Sequence, residues 1–320
     1  MILLLCADIS ETNQYIQLLS DAYQKAGHQV ILGVDNFFHS DFKPAFVHVQ
    51  WPEALYKWKE ITDESAITPF KSRLAWFTQR RIPIVATFHN TKPHDYDSQA
   101  YKSVYEILYG TAQIIVHHGK ASIELLKRDV PGCQYAQHIV CPHGPYPFEF
   151  FDPATARRLY GIPQQAFVLL NFGRQRAYKG HDFIKHVFKK WQKKAFLFTI
   201  GPKSASMAHL SPANKLIGVA HQKLSSCPSG VFPALLKNKL TLLQDISHNE
   251  IPAIMAGSDV LFSGHTSGLN SGLLSLAASY SKPVVFPDIG NFKEQLNGWP
   301  WSEPYEVGNA DSAINALDRI

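Results

Sequence analysis

Short apolar runs alternate with segments of helical periodicity from one end of the chain to the other, and this alternation restricts the fold more than any other feature. Strands are expected at 2–7, 29–34, 46–50, 82–88, 114–116 and 138–141, with helices at 11–27, 67–81, 100–108 and 121–127 between them. Ser10 is the expected N-cap of the first helix, and Gly27 its stop. After the turn-rich segment His143-Gly-Pro-Tyr-Pro147 the pattern restarts. Strands are expected at 167–172, 196–200, 240–243, 260–263 and 283–286, and helices at 182–191, 250–256, 272–280, 291–296 and 310–317. Strands separated by helices pair in parallel, because each helix carries the chain back across the sheet. The expected architecture is α/β, with two Rossmann-like, doubly wound parallel-sheet domains, 1–150 and 151–320.

Composition sets the broad class. Of 320 residues 45% are hydrophobic and 18% charged, which supports real cores and excludes a disordered chain. The apolar run at 1–7 ends at Asp8, far short of the ~20 residues of a membrane span, and it lacks the basic start of a signal peptide. Cys6, Cys133, Cys141 and Cys227 have no metal-ligand spacing, which suits a reducing cytoplasm. Residues 1–150 carry 13 Lys/Arg against 15 Asp/Glu, and residues 151–320 carry 18 against 11. A positive surplus in one half predicts an anionic ligand there. The cations are dispersed and no nucleic-acid recognition motif accompanies them, so a phosphate-bearing small molecule is expected and nucleic acid is not.

Ligands of doubly wound sheets collect at the carboxyl ends of strands. In the first half those positions hold Asp8, Trp51, Glu53, His89, Asn90, His117 and His118. In the second, Leu170-Asn-Phe-Gly173-Arg174-Gln-Arg176-Ala-Tyr178-Lys179-Gly180 ends a strand on a glycine and opens a helix with a lysine–glycine pair. Glycine admits a ligand close to backbone, and two cations can grip a diphosphate. Further on, the small polar loop of Gly268, Asn270, Ser271 and Gly272 runs straight into a helix, whose first amides favour an anion.

Together these residues resemble the carboxyl-terminal domain of GT-B glycosyltransferases, family 4 in particular. The match comprises Gly173, Arg174, Tyr178, Lys179 and Gly180, then the loop, helix, Lys-Pro-Val-Val strand and Gly…Glu block from Asn270 to Glu294. The segment 247–259 is similar to the one that brackets the nucleobase. Pro83-Ile-Val-Ala-Thr-Phe-His89-Asn90 resembles a strand whose histidine lies beside the acceptor and transferred sugar. The resemblance implies a GT-B fold with an interdomain cleft. It implies transfer of a sugar, typically a hexose, from a nucleotide-diphosphate donor to a glycan or lipid-linked glycan, as in polysaccharide biosynthesis. The donor would be a UDP- or GDP-linked sugar, used as substrate without a metal or other cofactor. His89, Arg174 and Lys179 are the implied catalytic residues. Gly173, Tyr178, Gly180, Ile246, Glu250, Asn270, Ser271 and Gly272 would hold the donor, and Asp8, Trp51, Glu53, Asn90 and His118 the acceptor.

Two departures qualify that implication. The family places glutamates eight positions apart, one on the transferred sugar and one on the ribose. Here those positions are Gly268 and Leu276, and no acidic residue lies between Asp259 and Asp288. Two other readings therefore stay open: a non-catalytic nucleotide-sugar-binding relative and a GT-B-like sugar-nucleotide epimerase. The family's long closing helix is also replaced by a modest one at 310–317. Asp95-Tyr-Asp97 imitates a metal-binding DxD but precedes a helix, where capping is expected. The cations around Phe70, Leu74 and Phe77 (Lys71, Arg73, Arg80 and Arg81) suit a solvated helix face, or peripheral attachment to the inner face of a membrane.

Overall fold

The computed structural model describes residues 1–93, 98–191, 193–202 and 238–320. Asp95, Asp97 and Cys227 lie outside them. The chain divides into two compact units, Met1–His143 and Gly144–Ile320.

Within the first unit, β1 (Ile2–Cys6), β2 (Gln29–Leu32), β3 (Val47–Val49), β4 (Ile84–Phe88), β5 (Ile114–His117) and β6 (Gln137–Val140) form one sheet in the order β2-β1-β3-β4-β5-β6, with every pairing parallel. Leu3, Leu4, Leu5, Val47, Val49, Ile84 and Ala86 are wholly buried, as befits strands covered on both faces. A buried Leu or Ile of this kind contributes about 1.5–3 kcal/mol. The chain crosses from one side of β1 to the other between β2 and β3. The carboxyl ends of β1 and β3 therefore flank a topological switch point, where Asp8 and Trp51 emerge.

The first helix runs Tyr15–Lys25 with Gln14 at its N-cap. Ser10, the expected cap, is instead drawn into a turn: it bridges to Asn13, and its Oγ accepts from the Thr12 amide. A short helix, Val34–His39, begins within the expected second strand, and Asp8 Oδ1 accepts from the Val34 amide at its start. The long basic segment is the helix Thr68–Gln79 preceded by a 3-10 turn, Glu64–Ile67. Arg73 is buried in it rather than solvated. Its guanidinium donates to the Phe37 and Ser40 carbonyls and stacks on Trp76 at 4.1 Å.

The second unit repeats the logic with β7 (Phe167–Phe172), β8 (Ala195–Ile200), β9 (Lys239–Leu242), β10 (Val260–Phe262), β11 (Val284–Pro287) and β12 (Ser302–Tyr305), in the order β12-β11-β10-β7-β8-β9 and again all parallel. Side-chain alternation splits the core. Val168, Leu170 and Phe198 pack on one face of the sheet, while Leu169, Leu197 and Phe262 face the helices His181–Lys190 and Ala310–Arg319 on the other. The switch point lies between β7 and β10, so the loops after Phe172 and Phe262 meet there. Strand β12 carries no apolar run and was not expected. It holds Pro304, which an edge strand tolerates because one side of its ladder is unpaired. The terminal helix is anchored within this unit, where the Trp191 indole N–H donates to Asp318 at 3.0 Å. Among the described residues no helix is long and apolar enough to cross a membrane.

Candidate functional site

The loop after β7 and the loop after β10 are pressed together at their backbones. Gly180 has φ +60°, and a Cβ there would stand 1.9 Å from the Gly264 carbonyl oxygen. The Thr266 amide donates to the Tyr178 carbonyl at 2.7 Å, closing the same junction. Tyr178 is thereby held by its backbone, and its ring lies 5.7 Å from that of His265.

This junction folds Lys179 back over the end of β7. Its Nζ lies 3.0 Å from the point where a Cβ on Gly173 would stand, and Leu273 Cδ1 lies 3.2 Å from that point. The Lys179 ammonium and the side chain of Leu273, in the first turn of the helix Gly272–Ser279, thus lie over the same glycine. Burial of the ammonium, followed by the charges of Arg176 and Arg174, lowers the Lys179 pKa from 10.5 to about 8. Arg174 is more open and makes a 3.5 Å ion pair with Asp245.

The helix that begins at Gly272 offers fewer donors than its sequence suggests. The Ser271 amide already donates to Gln295 Oε1 at 3.0 Å. The amides of Gly272 and Leu273, which have no acceptor within the helix, are the ones at its mouth. Asn270 Oδ1 accepts from Asn291 Nδ2 at 2.8 Å, so the loop is braced against the next βα turn. Position Gly268 faces Phe292 and His265, and Leu276 is buried in the core. No acidic residue lies between Asp259 and Asp288, so neither position has a carboxylate in its own segment.

His181 belongs beside this group, although its pattern in the sequence is only that of a residue following Lys-Gly. Asn171 Nδ2 donates to His181 Nδ1 at 2.8 Å, which puts the imidazole proton on Nε2. That nitrogen is buried and has no partner among the described residues. Burial, then the charge of Lys179, lowers the His181 pKa to about 4 and keeps the ring neutral. The remaining residues expected to hold the donor have local structural duties. Glu250 completes a capping box with Ser247 and accepts from Gln244, and Ile246 is buried in the core.

In the first unit the residues at strand ends converge on a side chain that sequence reasoning missed, Tyr15. Its ring lies 5.4 Å from Trp51, 5.1 Å from His89, 5.8 Å from His118 and 5.1 Å from His143. Trp51 and His89 stack at 4.1 Å. His118 Nδ1 donates to the Cys141 carbonyl, so its Nε2 carries the lone pair and faces Tyr15 OH at 3.5 Å. Burial pushes the His118 pKa down to about 4. Asn90 Nδ2 is buried without a partner among the described residues. His117 turns away, pairing with Ser122 and His138. Asp8 caps the helix Val34–His39. Glu53 is only 2% exposed and accepts from Tyr105 OH, which places its carboxylate in the core of the unit.

No family model matches the chain, and no curated protein sequence matches it. Solved structures do resemble it along its whole length. Sucrose-phosphate synthase from Thermosynechococcus elongatus aligns with 100% of this chain and 89% of its own, at 14% identity and a TM-score of 0.69. Anabaena HepE in complex with UDP and glucose covers 99% of this chain and 89% of its own, at 13% identity and a TM-score of 0.63. The catalytic domain of starch synthase IV from Arabidopsis thaliana, bound to ADP and acarbose, covers 99% and 90% at 10% identity and a TM-score of 0.67. At these identities the likeness is one of fold: the chain has the two-sheet GT-B fold of nucleotide-sugar glycosyltransferases.

With its pKa lowered to about 8, Lys179 would make any anion binding at this junction pH-dependent. An anion stabilises the charged ammonium and raises its pKa in the complex, so binding takes up a proton wherever the free lysine is neutral. For a diphosphate seated there, the affinity measured calorimetrically from pH 7 to 10 would stay level to about pH 8. It then falls, approaching tenfold per unit. A level affinity up to pH 10 would show that Lys179 does not contact the anion.

Proposed function

We propose that the protein is a metal-independent glycosyltransferase that moves a hexosyl group from a nucleoside-diphosphate sugar to a glycan or lipid-linked glycan. The observation that carries this reading is the approach of Lys179 and of Leu273, in the first turn of the helix at Gly272, to Gly173 at the switch point of the second sheet, with Arg174 and Arg176 near enough to lower the Lys179 pKa. As the glycosidic bond breaks, charge grows on the oxygen that leaves with the diphosphate. Fixed cations and amides stabilise that charge without reorganising at the moment of reaction. In this reading the unit Gly144–Ile320 holds the donor and the unit Met1–His143 the acceptor, with His89, Trp51, Asn90 and His118 as its contacts. The neighbours solved with UDP and glucose or with ADP and acarbose support this donor class. The motif from Gly173 to Gly180 favours family 4 among GT-B enzymes. Peripheral attachment to anionic lipid would fall to the exposed Lys71, Arg80 and Arg81, since Arg73 is committed to the core.

A second reading, a nucleotide-sugar-binding protein without catalysis, is favoured by one observation: Leu276 fills the core at one of the two positions where the family has a glutamate. Thermal-shift screening against UDP, GDP, ADP and dTDP and their sugars, followed by product analysis, separates the two. One nucleotide sugar is expected to raise the melting temperature by several degrees and to yield free nucleoside diphosphate with a glycosylated acceptor. Stabilisation with no release of sugar supports the binding protein, a changed sugar without an acceptor supports an epimerase, and no stabilisation by any of them overturns the donor site.

A further inference from the structure

A polar chain runs through the middle of the first sheet, where its neighbours are apolar. Gln50 is fully buried, His48 is 3% exposed and Thr87 is fully buried. His48 Nδ1 meets Tyr23 OH at 2.9 Å, and His48 Nε2 meets both Thr87 Oγ1 and Gln50 Nε2 at 2.9 Å. Gln50 Oε1 in turn lies 2.9 Å from His89 Nε2. Burial drives the His48 pKa down to about 3, so this imidazole is neutral, and its Nε2 accepts from the Gln50 amide that faces it. Gln50 is oriented with its amide nitrogen toward His48 and its oxygen toward His89, so it donates to His48 and accepts from the Nε2–H of His89. A buried polar network of this kind adds little stability over an apolar core of the same shape. Its effect falls on the ring at its end.

We propose that Gln50, itself oriented by His48 and Thr87, is a positioning residue that holds His89 with its proton on Nε2 and its lone pair on Nδ1. The inference rests on the reading that His89 contacts the transferred sugar or its acceptor. Trp51, stacked on His89 at 4.1 Å, fixes the plane of the ring, and Gln50 fixes its rotation and tautomer. The carboxamide is a poor proton carrier, so the chain orients His89 and does not conduct protons away from it. The titratable groups facing His89 among the described residues are His118 and Tyr15, each with its ring centre at 5.1 Å.

The test has a spectroscopic arm that needs no activity. Long-range proton–nitrogen NMR on the 15N-labelled full chain, with His89 assigned by His89→Gln, is expected to show an Nε2–H, Nδ1-bare tautomer at neutral pH. Gln50→Leu should release the ring into a tautomer mixture, and Gln50→Glu should raise the His89 pKa by about one unit or more, because a carboxylate favours the imidazolium. In transfer assays Gln50→Leu is expected to lower kcat by about tenfold to a hundredfold. The donor KM should stay within about twofold, since Gln50 does not touch the donor, and Gln50→Glu should move the acid limb of the pH profile upward with the His89 pKa. An Nδ1–H tautomer in the unmodified protein overturns the proposal even if no variant folds. An unchanged tautomer or unchanged kcat in a folded Gln50→Leu protein does so too. If His89→Ala itself transfers sugar normally, the role given to His89 is what has failed, whatever the NMR of the Gln50 variants shows.

Discussion

Lys179→Ala will lower turnover by about a hundredfold while leaving the melting temperature unchanged or slightly higher. The first half follows from electrostatics. A preorganised donor aimed at developing charge is worth about 3 kcal/mol, and the ammonium lies over Gly173 at the end of β7. The second half follows from proton linkage. The folded-state pKa of about 8 lies below the ordinary 10.5, so below pH 8 the native protein carries a charge that its surroundings disfavour. Removing that charge takes away a cost and not a support. Steady-state kinetics with the donor found by screening, paired with calorimetric melting, check both halves. Turnover within about twofold of the unmodified protein would remove Lys179 from the mechanism.

Gly180→Ala should be among the most damaging single-methyl additions in the chain. An alanine would have to adopt φ +60°, which costs about 1–2 kcal/mol, with its methyl 1.9 Å from the Gly264 oxygen. Gly264 cannot retreat freely, because its own α-carbon is crowded by Ile184, where an added Cβ would stand 2.5 Å from Cγ1. Overpacking against fixed backbone adds about 1–3 kcal/mol. The sum, about 3 kcal/mol, corresponds to a fall of about 6–12 °C in Tm for a unit of this size. Anion binding should weaken with it, because the same contact seats Lys179. Gly144→Ala is the control, since its Cβ would meet nothing within 4 Å. If Gly180→Ala melts within about 2 °C of the unmodified protein, the two loops are not clamped as described.

Much of the fold was legible because parallel strands covered on both faces must be continuous apolar runs. Leu169 and Leu170 on β7 and Leu261 and Phe262 on β10 announce their strands whatever they pair with. Strand β12 was not legible, because Ser302-Glu-Pro-Tyr305 is a strand only by virtue of its partner β11. The start of the first helix was misplaced for a related reason. Ser10 has the chemistry of a cap, but a bridge to Asn13 engages it first, and no local rule ranks those two bonds. On the donor side, glycine and lysine spacing pointed to the loop, yet the loss of the Ser271 amide to Gln295 and the arrival of His181 depend on elements many residues away or on a neighbouring strand.

Sequence by itself determined the two parallel α/β sheets, the strand ends where ligands gather and the glycine-guarded basic loop, since each is a local consequence of periodicity, glycine or charge. Tertiary structure alone decided which groups act together. The junction of Gly180 with Gly264, the rings around Tyr15 and the chain from Tyr23 to His89 all join residues distant in sequence, and the lowered pKa of Lys179 follows first from its burial. Their energies come from burial and from distances of a few ångströms, and a one-dimensional order of residues records neither.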